Sequence, residues 1–548
     1  MPEAMTPVAT AHVDTFARDR LPPRELWPNL DLSSVPHLDV PRLNAAVELL
    51  DRMVAGGQGG RIVFRTPRGD WTYAQLLDKT NRIAAVLRDE LGLVPGNRVL
   101  LRGANTAEMA ACWFAVLKAG GIAVATMPLL RARELTHIAT KAQIRHALCD
   151  AALMAELELT QAAVPALDRV AAFGADATDG LEARMARHDG TFANVDTAAD
   201  DVALIAFTSG TTGPAKGTMH FHRDLLASCD TFGRHVLRAD ADDVFIGSPP
   251  FAFTFGLGAL ILFPMRIGAS TALPEMATPP RLLEAIGRFG ATVCWTAPTA
   301  YRVMAEQGRA ADFAGLRQCV SAGEHLPAAV FEAWRALTGI RIIDGIGATE
   351  MLHIFIACSG DDIRPGATGR AVPGYRARVV DADGRDLPPG TVGRLAVQGP
   401  TGCRYLDDVE RQSGYVADGW NYTGDSYVMD GDGYFWYQAR TDDMIVSAGY
   451  NISGPEVEDV LLEHPDVREC AVVGASDPER GMIVTAFVVP RDPAAAGAAL
   501  TAALQAHVKA NLAPYKYPRA VRYVDALPRT ETGKTQRFRL REMVGKGS

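Results

Sequence analysis

Residues 202–217 read VALIAFTSGTTGPAKG, an apolar run that leads into a loop rich in glycine, threonine and serine. The apolar run 202–207 predicts a buried β-strand, and we expect a helix to begin near His220 after the loop. Glycines allow the backbone to approach an anion closely and to point its N–H groups inward. The stretch therefore predicts a phosphate-binding loop. The residues expected to contact phosphate are Thr208, Ser209, Gly210, Thr211, Thr212, Gly213 and Lys216.

This loop does not follow the Walker pattern of P-loop nucleotide-binding proteins. That pattern places glycine directly before the lysine and serine or threonine directly after it. Here Ala215 precedes Lys216 and Gly217 follows it. A flexible linker of similar composition is rare between a buried strand and a helix, so we interpret the loop as a phosphate site of another class.

The chain before the loop alternates short apolar runs with helical patterns. Strands are expected at residues 98–101, 122–126 and 146–149, and helices at residues 106–118 and 131–141. Such alternation is typical of parallel sheets covered by helices, so the fold class is α/β. Two further buried strands are expected after the loop, at residues 293–296 and 340–343.

The composition changes after Tyr375, where glycine, aspartate and proline become frequent between short alternating runs. This pattern predicts a small antiparallel sheet unit with tight turns. After the polar stretch 439–445, the chain has its own succession of helix, two strands and helix. We therefore predict a large N-terminal domain over residues 1–441 and a small α+β domain over residues 442–548, joined at Asp442.

Bulk composition narrows the function class. The 548 residues carry a net charge of −9 and have no Lys/Arg-dense run, which argues against a nucleic-acid partner. No apolar run is long enough to span a bilayer, and the N-terminus has no apolar core typical of a signal peptide. The eight cysteines are scattered, as expected of reduced thiols in a cytoplasmic protein that binds small molecules.

The phosphate loop resembles the signature loop of the adenylate-forming superfamily, which includes acyl-CoA synthetases, peptide-synthetase adenylation domains and luciferases. The family usually has proline directly before the lysine, whereas here Pro214 lies one position earlier. Further matches follow in the family's order along nearly the whole chain. They are DGIGATE at 344–350, YTGD at 422–425, ARTDD at 439–443 and PRTETGKTQR at 528–537.

The resemblance implies roles for the residues of these segments. Asp344 would accept a hydrogen bond from the adenine amino group, and Thr349 would contact phosphate. Glu350 would hold Mg²⁺, which prefers carboxylate and phosphate oxygens. Asp425 would accept from the ribose hydroxyls, and Arg440 would make a second ribose or phosphate contact.

The resemblance also implies a two-step reaction. ATP would activate a carboxylic acid as an acyl-adenylate, and the acyl group would then pass to the thiol of coenzyme A. Lys534 would be the mobile catalytic lysine and Asp442 the hinge about which the C-terminal domain swings. The stretch 447–452 would line the pantetheine channel, with Gly449 and Tyr450 as its candidate residues.

Two segments indicate which acid is used. GIGATEMLHIF at 345–355 and PFAFTFGLG at 250–258 resemble the benzoate- and 2-aminobenzoate-CoA ligases. The N-terminal stretch 12–28 is more similar to the 2-aminobenzoate ligases, which ranks that acid first and benzoate second. The ring of His353 or the hydroxyl of Thr254 could accept from an ortho-amino group. The implied pocket residues are Thr254, Phe255, Ala322, Gly323, Gly345, Gly347, His353 and Ile354.

Several alternatives stay open at this stage. His353 and Phe255 would equally suit ordinary core packing. A stand-alone adenylation enzyme could load a carrier protein instead of coenzyme A, and a non-aromatic acid is not excluded. A luciferase-like oxygenase, a non-catalytic relative and a homodimer are also compatible with the sequence.

Overall fold

In the computed structural model, one large sheet has nine strands with a parallel centre. The model describes residues 9–175, 178–208, 215–440, 443–447, 450–477, 480–512, 514–530 and 534–545. Antiparallel strands close both edges of the nine-stranded sheet, and helices make the crossovers that parallel strands require. Its strands in spatial order are Arg370–Ala371, Ile354–Ala357, Ile343–Gly347, Gln318–Ala322, Val293–Thr296, Val244–Gly247, Ser270–Ala272, Ile62–Arg65 and Trp71–Thr72.

The second large sheet has six strands. Five of them pair in parallel, and the sixth pairs in antiparallel fashion with its neighbour. The strands in spatial order are Arg169–Phe173, His146–Asp150, Arg98–Arg102, Ile122–Thr126, Val202–Thr208 and Lys216–Phe221. Together the two large sheets confirm the expected α/β class.

The helix expected near His220 begins at His222, but a strand that the sequence interpretation did not predict precedes it. A strand, Lys216–Phe221, follows the phosphate loop, and the helix His222–Ser228 begins after it. Thr208 lies opposite Lys216 and Ile205 opposite Met219, so the backbone groups of this strand are satisfied by its neighbour. The phosphate loop therefore joins two antiparallel strands.

The strand expected at 340–343 is displaced toward the C-terminus. It runs over Ile343–Gly347 and includes Asp344 and two glycines. Hydrogen bonds to a parallel neighbour at Val320–Ala322 and an antiparallel neighbour at Ile354–Ala357 hold this glycine-rich stretch extended. Pairing with two neighbours thus overrides the weak intrinsic strand preference of glycine.

The helices of the described chain cover the sheets. None of those in the described ranges combines the length and apolar character needed to cross a membrane. The α-helices are Phe16–Asp19, Tyr73–Ala85, Ala107–Lys118, Ala132–Lys141, Met154–Ala163, Leu181–Met185, His222–Ser228, Thr254–Leu257, Phe263–Ile267, Pro279–Phe289, Pro298–Gln307, Ala328–Thr338, Val409–Tyr415, Gly454–Leu462, Ala498–Asn511 and Arg537–Gly545.

A five-stranded antiparallel sheet follows the large sheets, as the change of composition predicts. Its long strand Trp420–Met429 pairs with three neighbours. The remaining strands are Arg376–Val380, Val392–Gln398, Val416–Ala417 and Phe435–Arg440.

The last sheet belongs to the C-terminal part of the chain. Ile445–Ser447 pairs with Tyr450–Ile452 and with the long strand Gly481–Pro490. That long strand also pairs with Val467–Asp477 and, in parallel, with Ala520–Tyr523. The described members of its main apolar cluster all lie between Ile445 and Tyr523.

All eight cysteines are free thiols, as the sequence predicts. Seven are buried and Cys470 is half-buried. Burial raises the pKa of Cys149 and of Cys294 to about 12, so these thiols stay protonated and unreactive near neutral pH.

Candidate active site

The ends of strands from the two large sheets lie close together, and we call the region between them the cleft. Ala322 and Gly347 close adjacent strands of the nine-stranded sheet, and Thr208 closes a strand of the other sheet. His220 of the second sheet lies with its Nε2 2.7 Å from the carbonyl oxygen of Thr349, just past Gly347. The carboxyl ends of strands are where open α/β sheets bind ligands, so this cleft is the candidate site.

Asp344 is a half-buried carboxylate at the base of the cleft. Its Oδ1 has no hydrogen-bond partner among the described residues. Burial raises the pKa of Asp344 to about 7, against a smaller opposing effect of His325. A buried acceptor without a partner is costly unless a ligand satisfies it, which suits the expected contact with an adenine amino group.

Asp425 and Arg440 face each other across two antiparallel strands. Arg440 donates through Nη1 to Asp425 Oδ1 at 3.2 Å and to the carbonyl of Thr423 at 3.3 Å. Burial raises the pKa of Asp425 even though the Arg440 charge opposes that shift. Gly424, directly before Asp425, has a φ of +76°, which favours glycine. The carboxylate is thus held in place before any sugar arrives.

Thr349 and Glu350 begin a short 3₁₀ turn over Thr349–Met351. The hydroxyl of Tyr405 donates to Glu350 Oε1 at 2.6 Å. Burial and then the Glu350 charge raise the pKa of Tyr405, so the phenol stays protonated and donates. Within the described residues, Glu350 forms no ion pair with lysine or arginine. Its charge is therefore available to a cation.

The donor set at this turn fits Mg²⁺. Thr349 and Glu350 offer hydroxyl and carboxylate oxygens, which a hard cation prefers. The described part of the chain contains no group of three or more His, Cys, Asp or Glu residues placed to hold a metal by themselves. A cation here would therefore need further oxygens, which nucleotide phosphates supply.

Lys534 reaches into the cleft from the C-terminal part of the chain. A Cβ built on Gly323 would lie 3.5 Å from Lys534 Cε and 3.7 Å from its Nζ, so the ammonium group lies against Gly323. Desolvation of the ammonium group by the surrounding residues lowers the pKa of Lys534, and the nearby charge of Glu324 opposes this shift. The side chain remains exposed to solvent, so it is accessible to a substrate.

Among the described residues, two ion pairs join the C-terminal part to the rest of the chain. His325 Nε2 lies 3.0 Å from Asp459 Oδ2, and Arg302 donates to Glu469 Oε1 at 2.7 Å. The pKa of His325 is raised because the hydrogen bond and charge of Asp459 outweigh burial, which alone would lower it. These pairs hold the arrangement in which Lys534 occupies the cleft.

His353 lies in a cluster of aromatic side chains beside the cleft. Its ring centroid lies 4.5 Å from that of Phe263 and 5.9 Å from those of Phe255 and Trp295. Burial lowers the pKa of His353 to about 3, so the imidazole is neutral near pH 7. One nitrogen, Nε2, lies 3.3 Å from the Phe255 carbonyl, while Nδ1 has no described partner.

Glycines provide the space for this aromatic cluster. A Cβ on Gly258 would lie 2.2 Å from His353 Cδ2, and a Cβ on Gly345 would lie 2.8 Å from Ile354 Cγ2. Thr254 is buried at the start of the helix Thr254–Leu257, and Phe255 is half-buried. Glycine thus leaves room for the His353 ring beside the helical turn at Gly258 and for Ile354 beside the strand at Gly345.

Some predicted site residues lie outside the described ranges. They are Ser209, Gly210, Thr211, Thr212 and Gly213 of the phosphate loop, the predicted hinge Asp442, and Gly449. The predicted channel stretch is a hairpin rather than a loop, since Tyr450 begins the strand Tyr450–Ile452 opposite Ser447.

The structure adds site residues that the sequence interpretation missed. Tyr405 and His220 contact the Thr349–Glu350 turn, and Trp295 and Phe263 surround His353. His220 lies only four residues after Lys216, a spacing that places it on the strand next to the loop. Nothing in the local sequence marks Tyr405 or Trp295, because each looks like an ordinary core aromatic.

Comparison with known proteins agrees with this geometry. Residues 30–404 match the family of AMP-binding enzymes, and residues 456–534 match the AMP-binding enzyme C-terminal domain. The benzoate–CoA ligase of Thauera aromatica is 36% identical over 92% of this chain and 97% of its own length.

Two solved structures share the whole architecture. The anthranilate CoA ligase AuaEII in complex with anthranoyl-AMP superposes with a TM-score of 0.87 at 32% identity, covering 93% of this chain and 98% of that one. A benzoate CoA ligase from Burkholderia xenovorans LB400 has a TM-score of 0.83 at 31% identity, covering 91% and 100%. The chain therefore belongs to the AMP-binding enzymes, that is, the adenylate-forming superfamily, and within it to the aryl-CoA ligases, which are acid–thiol ligases using ATP, Mg²⁺ and coenzyme A.

Proposed function

We propose that this ligase joins 2-aminobenzoate or benzoate to coenzyme A through an aryl-adenylate formed in the cleft. The observation that carries the proposal is the position of Lys534. Its ammonium group lies against Gly323, the residue after strand Gln318–Ala322, and it is coupled electrostatically to Asp425 of the sugar-binding segment. A cation in that position can interact with the carboxylate of the acid and with a phosphate of the nucleotide at the same time.

The first step joins the acid to AMP. A carboxylate oxygen of the acid attacks the α-phosphorus of ATP, the bond to the β-phosphate oxygen breaks, and pyrophosphate leaves. Lys534 would neutralise charge shared by the carboxylate and the α-phosphate, since such transfers depend on positioning and charge stabilisation. The second step attaches the thiolate sulfur of coenzyme A to the acyl carbon and releases AMP.

The nucleotide would be held by residues already oriented in the free protein. Asp344 would accept from the adenine amino group and Asp425 from the ribose hydroxyls, with Arg440 beside it. The phosphate loop from Thr208 to Lys216 would surround the pyrophosphate side. Thr349 and Glu350 would hold Mg²⁺, which when bound neutralises charge on the phosphates.

The aromatic ring of the acid would occupy the pocket next to His353. Phe255 would provide a ring face, and glycines at Gly345 and Gly347 would provide room for a flat substrate. Because the imidazole is neutral, the partner-free Nδ1 can accept a hydrogen bond, which favours an ortho-amino group. The remaining proposed pocket residues are Thr254, Ala322, Gly323 and Ile354.

We also propose that residues 442–548 form a mobile unit that turns about Asp442 between the two steps. The separate apolar cluster of this part and its few polar contacts with the rest of the chain support that division. Gly449 and Tyr450 would then line the path of the pantetheine arm. Free, buried cysteines suit a reducing cytoplasm.

The test is a substrate panel with the purified protein. AMP formation would be measured with ATP and Mg²⁺ for 2-aminobenzoate, benzoate, salicylate, a fluorobenzoate, acetate and a long fatty acid, each with and without coenzyme A. We expect coenzyme A-dependent turnover with the first two acids. Turnover with only the fatty acid would overturn the aromatic pocket, and pyrophosphate release that coenzyme A does not accelerate would indicate a carrier-protein acceptor. Light scattering on the same sample would establish whether two copies associate.

A further inference from the structure

Tyr405 contacts the Thr349–Glu350 turn but belongs to a distant part of the sequence. Its hydroxyl donates to Glu350 Oε1 at 2.6 Å, and the Tyr405 side chain is almost fully buried. A short hydrogen bond to a carboxylate is strong and directional, so it fixes the orientation of the carboxylate group.

The backbone around Tyr405 is itself fixed to the strand that follows the phosphate loop. Met219 N donates to the Arg404 carbonyl and Leu406 N to the Gly217 carbonyl, each at 2.8 Å. The backbones of Thr218 and Tyr405 pair as an isolated antiparallel β-bridge. The same short segment therefore connects the strand Lys216–Phe221 to the Glu350 carboxylate.

A buried ion pair holds the residue next to Tyr405 in place. Arg404 donates through Nη1 to Asp224 Oδ2 at 2.8 Å, and both side chains are completely buried. His220, on the same strand, lies against the Thr349 carbonyl on the opposite side of the turn. The turn is thus held at its backbone by His220 and at its carboxylate by Tyr405.

We propose that Tyr405 is a positioning residue for the metal of the MgATP complex. Its hydroxyl occupies one oxygen of Glu350 and leaves the other, which has no partner among the described residues, for the cation. This inference rests on the proposed function, because it assumes that Glu350 serves Mg²⁺ bound to ATP. It predicts that the hydroxyl matters for the metal-bound nucleotide and not for the nucleotide alone.

The experiment compares nucleotide binding with and without the metal. Tyr405→Phe keeps the ring and removes only the hydroxyl. We expect calorimetric titration to give about a 10-fold weaker affinity for MgATP, the loss of one charge-assisted hydrogen bond. The affinity for ATP in excess EDTA should stay within about twofold of wild type by the same reasoning. The Mg²⁺ concentration for half-maximal pyrophosphate release should rise, while the rate at saturating Mg²⁺ is largely retained.

Tyr73→Phe is the control. Its buried hydroxyl donates to the Ala269 carbonyl at 2.9 Å and contacts none of the proposed nucleotide residues. Removing that hydroxyl should leave both affinities unchanged. Equal losses of Tyr405→Phe for ATP with and without Mg²⁺, or no loss at all, would overturn the inference. A wild-type protein that fails to bind MgATP would instead contradict the proposed function.

Discussion

The proposed nucleotide side of the cleft and the proposed aromatic pocket are built in opposite ways. On the nucleotide side, Asp344, Glu350 and Lys534 are half-buried or exposed and keep atoms or charge free for a ligand. In the pocket, His353 and its aromatic neighbours are packed as closely as a hydrophobic core. We therefore expect substitutions of the nucleotide residues to change the free energy of unfolding little. Substitutions in the pocket should change both the free energy of unfolding and the specificity for the acid.

Loss of the lysine should have the largest effect. Lys534→Ala is expected to slow aryl-adenylate formation about 10²–10³-fold or more, because a single preorganised group that stabilises developing charge contributes about 3–4 kcal/mol. The free energy of unfolding should stay the same, since the side chain is exposed. Pyrophosphate release and thermal unfolding measure the two effects. Lys509→Ala, an exposed lysine on helix Ala498–Asn511, is the control.

A change in the pocket should instead reduce stability and specificity together. In Gly258→Ala, the new Cβ would lie 2.2 Å from His353 Cδ2, so the ring must move. We expect about 1–3 kcal/mol lower stability, typical of overpacking, and a higher KM for the aromatic acid.

Gly233→Ala offers a matched comparison in the same aromatic cluster. Its Cβ would meet Phe263 Cδ1 at 3.4 Å, an ordinary contact, so near-neutral stability and an unchanged KM are expected. Equal behaviour of the two alanine variants would contradict the idea that Gly258 is required by the position of His353.

Asp344→Asn should stabilise the protein while weakening ATP binding. The folded pKa of about 7 lies above the ordinary value of 3.8, so ionisation of the folded state costs stability as pH rises between those values. The gain from asparagine should therefore grow from pH 5 to pH 8 and then level off at about 1–2 kcal/mol, allowing for partial solvation. Denaturant unfolding of both proteins at several pH values measures this difference in the free energy of unfolding. A difference that falls as the pH rises would show that burial of the charged carboxylate is not the cause.

The smallest effect is expected at the boundary with the C-terminal part. Asp459→Asn removes the partner of His325 and should slow adenylation only a few-fold, as partly exposed ion pairs contribute up to about 1 kcal/mol. Because the folded pKa of His325 is raised, the pair contributes below pH 6.5 and its effect disappears as pH rises through the folded pKa. The variant should thus differ from wild type more at pH 6 than at pH 8.5. Asp466→Asn, beside His464, is the control.

Sequence reasoning succeeded best where the local pattern or the spacing of residues decides the structure. The strand Ile122–Thr126 has the predicted bounds, and the free thiols agree with the scattered cysteines. It failed where pairing partners decide the outcome. The strand Lys216–Phe221 was not predicted before the expected helix, because its polar and apolar residues carry no period that distinguishes a strand from a helix or a loop.

The sequence by itself determined the α/β class, through local periodicity, and the membership of the adenylate-forming superfamily, through the resemblance of its ordered motifs. Only the tertiary structure decided that Tyr405 holds Glu350, that His220 supports Thr349 and that Lys534 lies against Gly323. Those contacts join residues 55, 129 and 211 positions apart, and their distances depend on how sheets and strands pack. Such long-range proximity has no local signal in a single sequence.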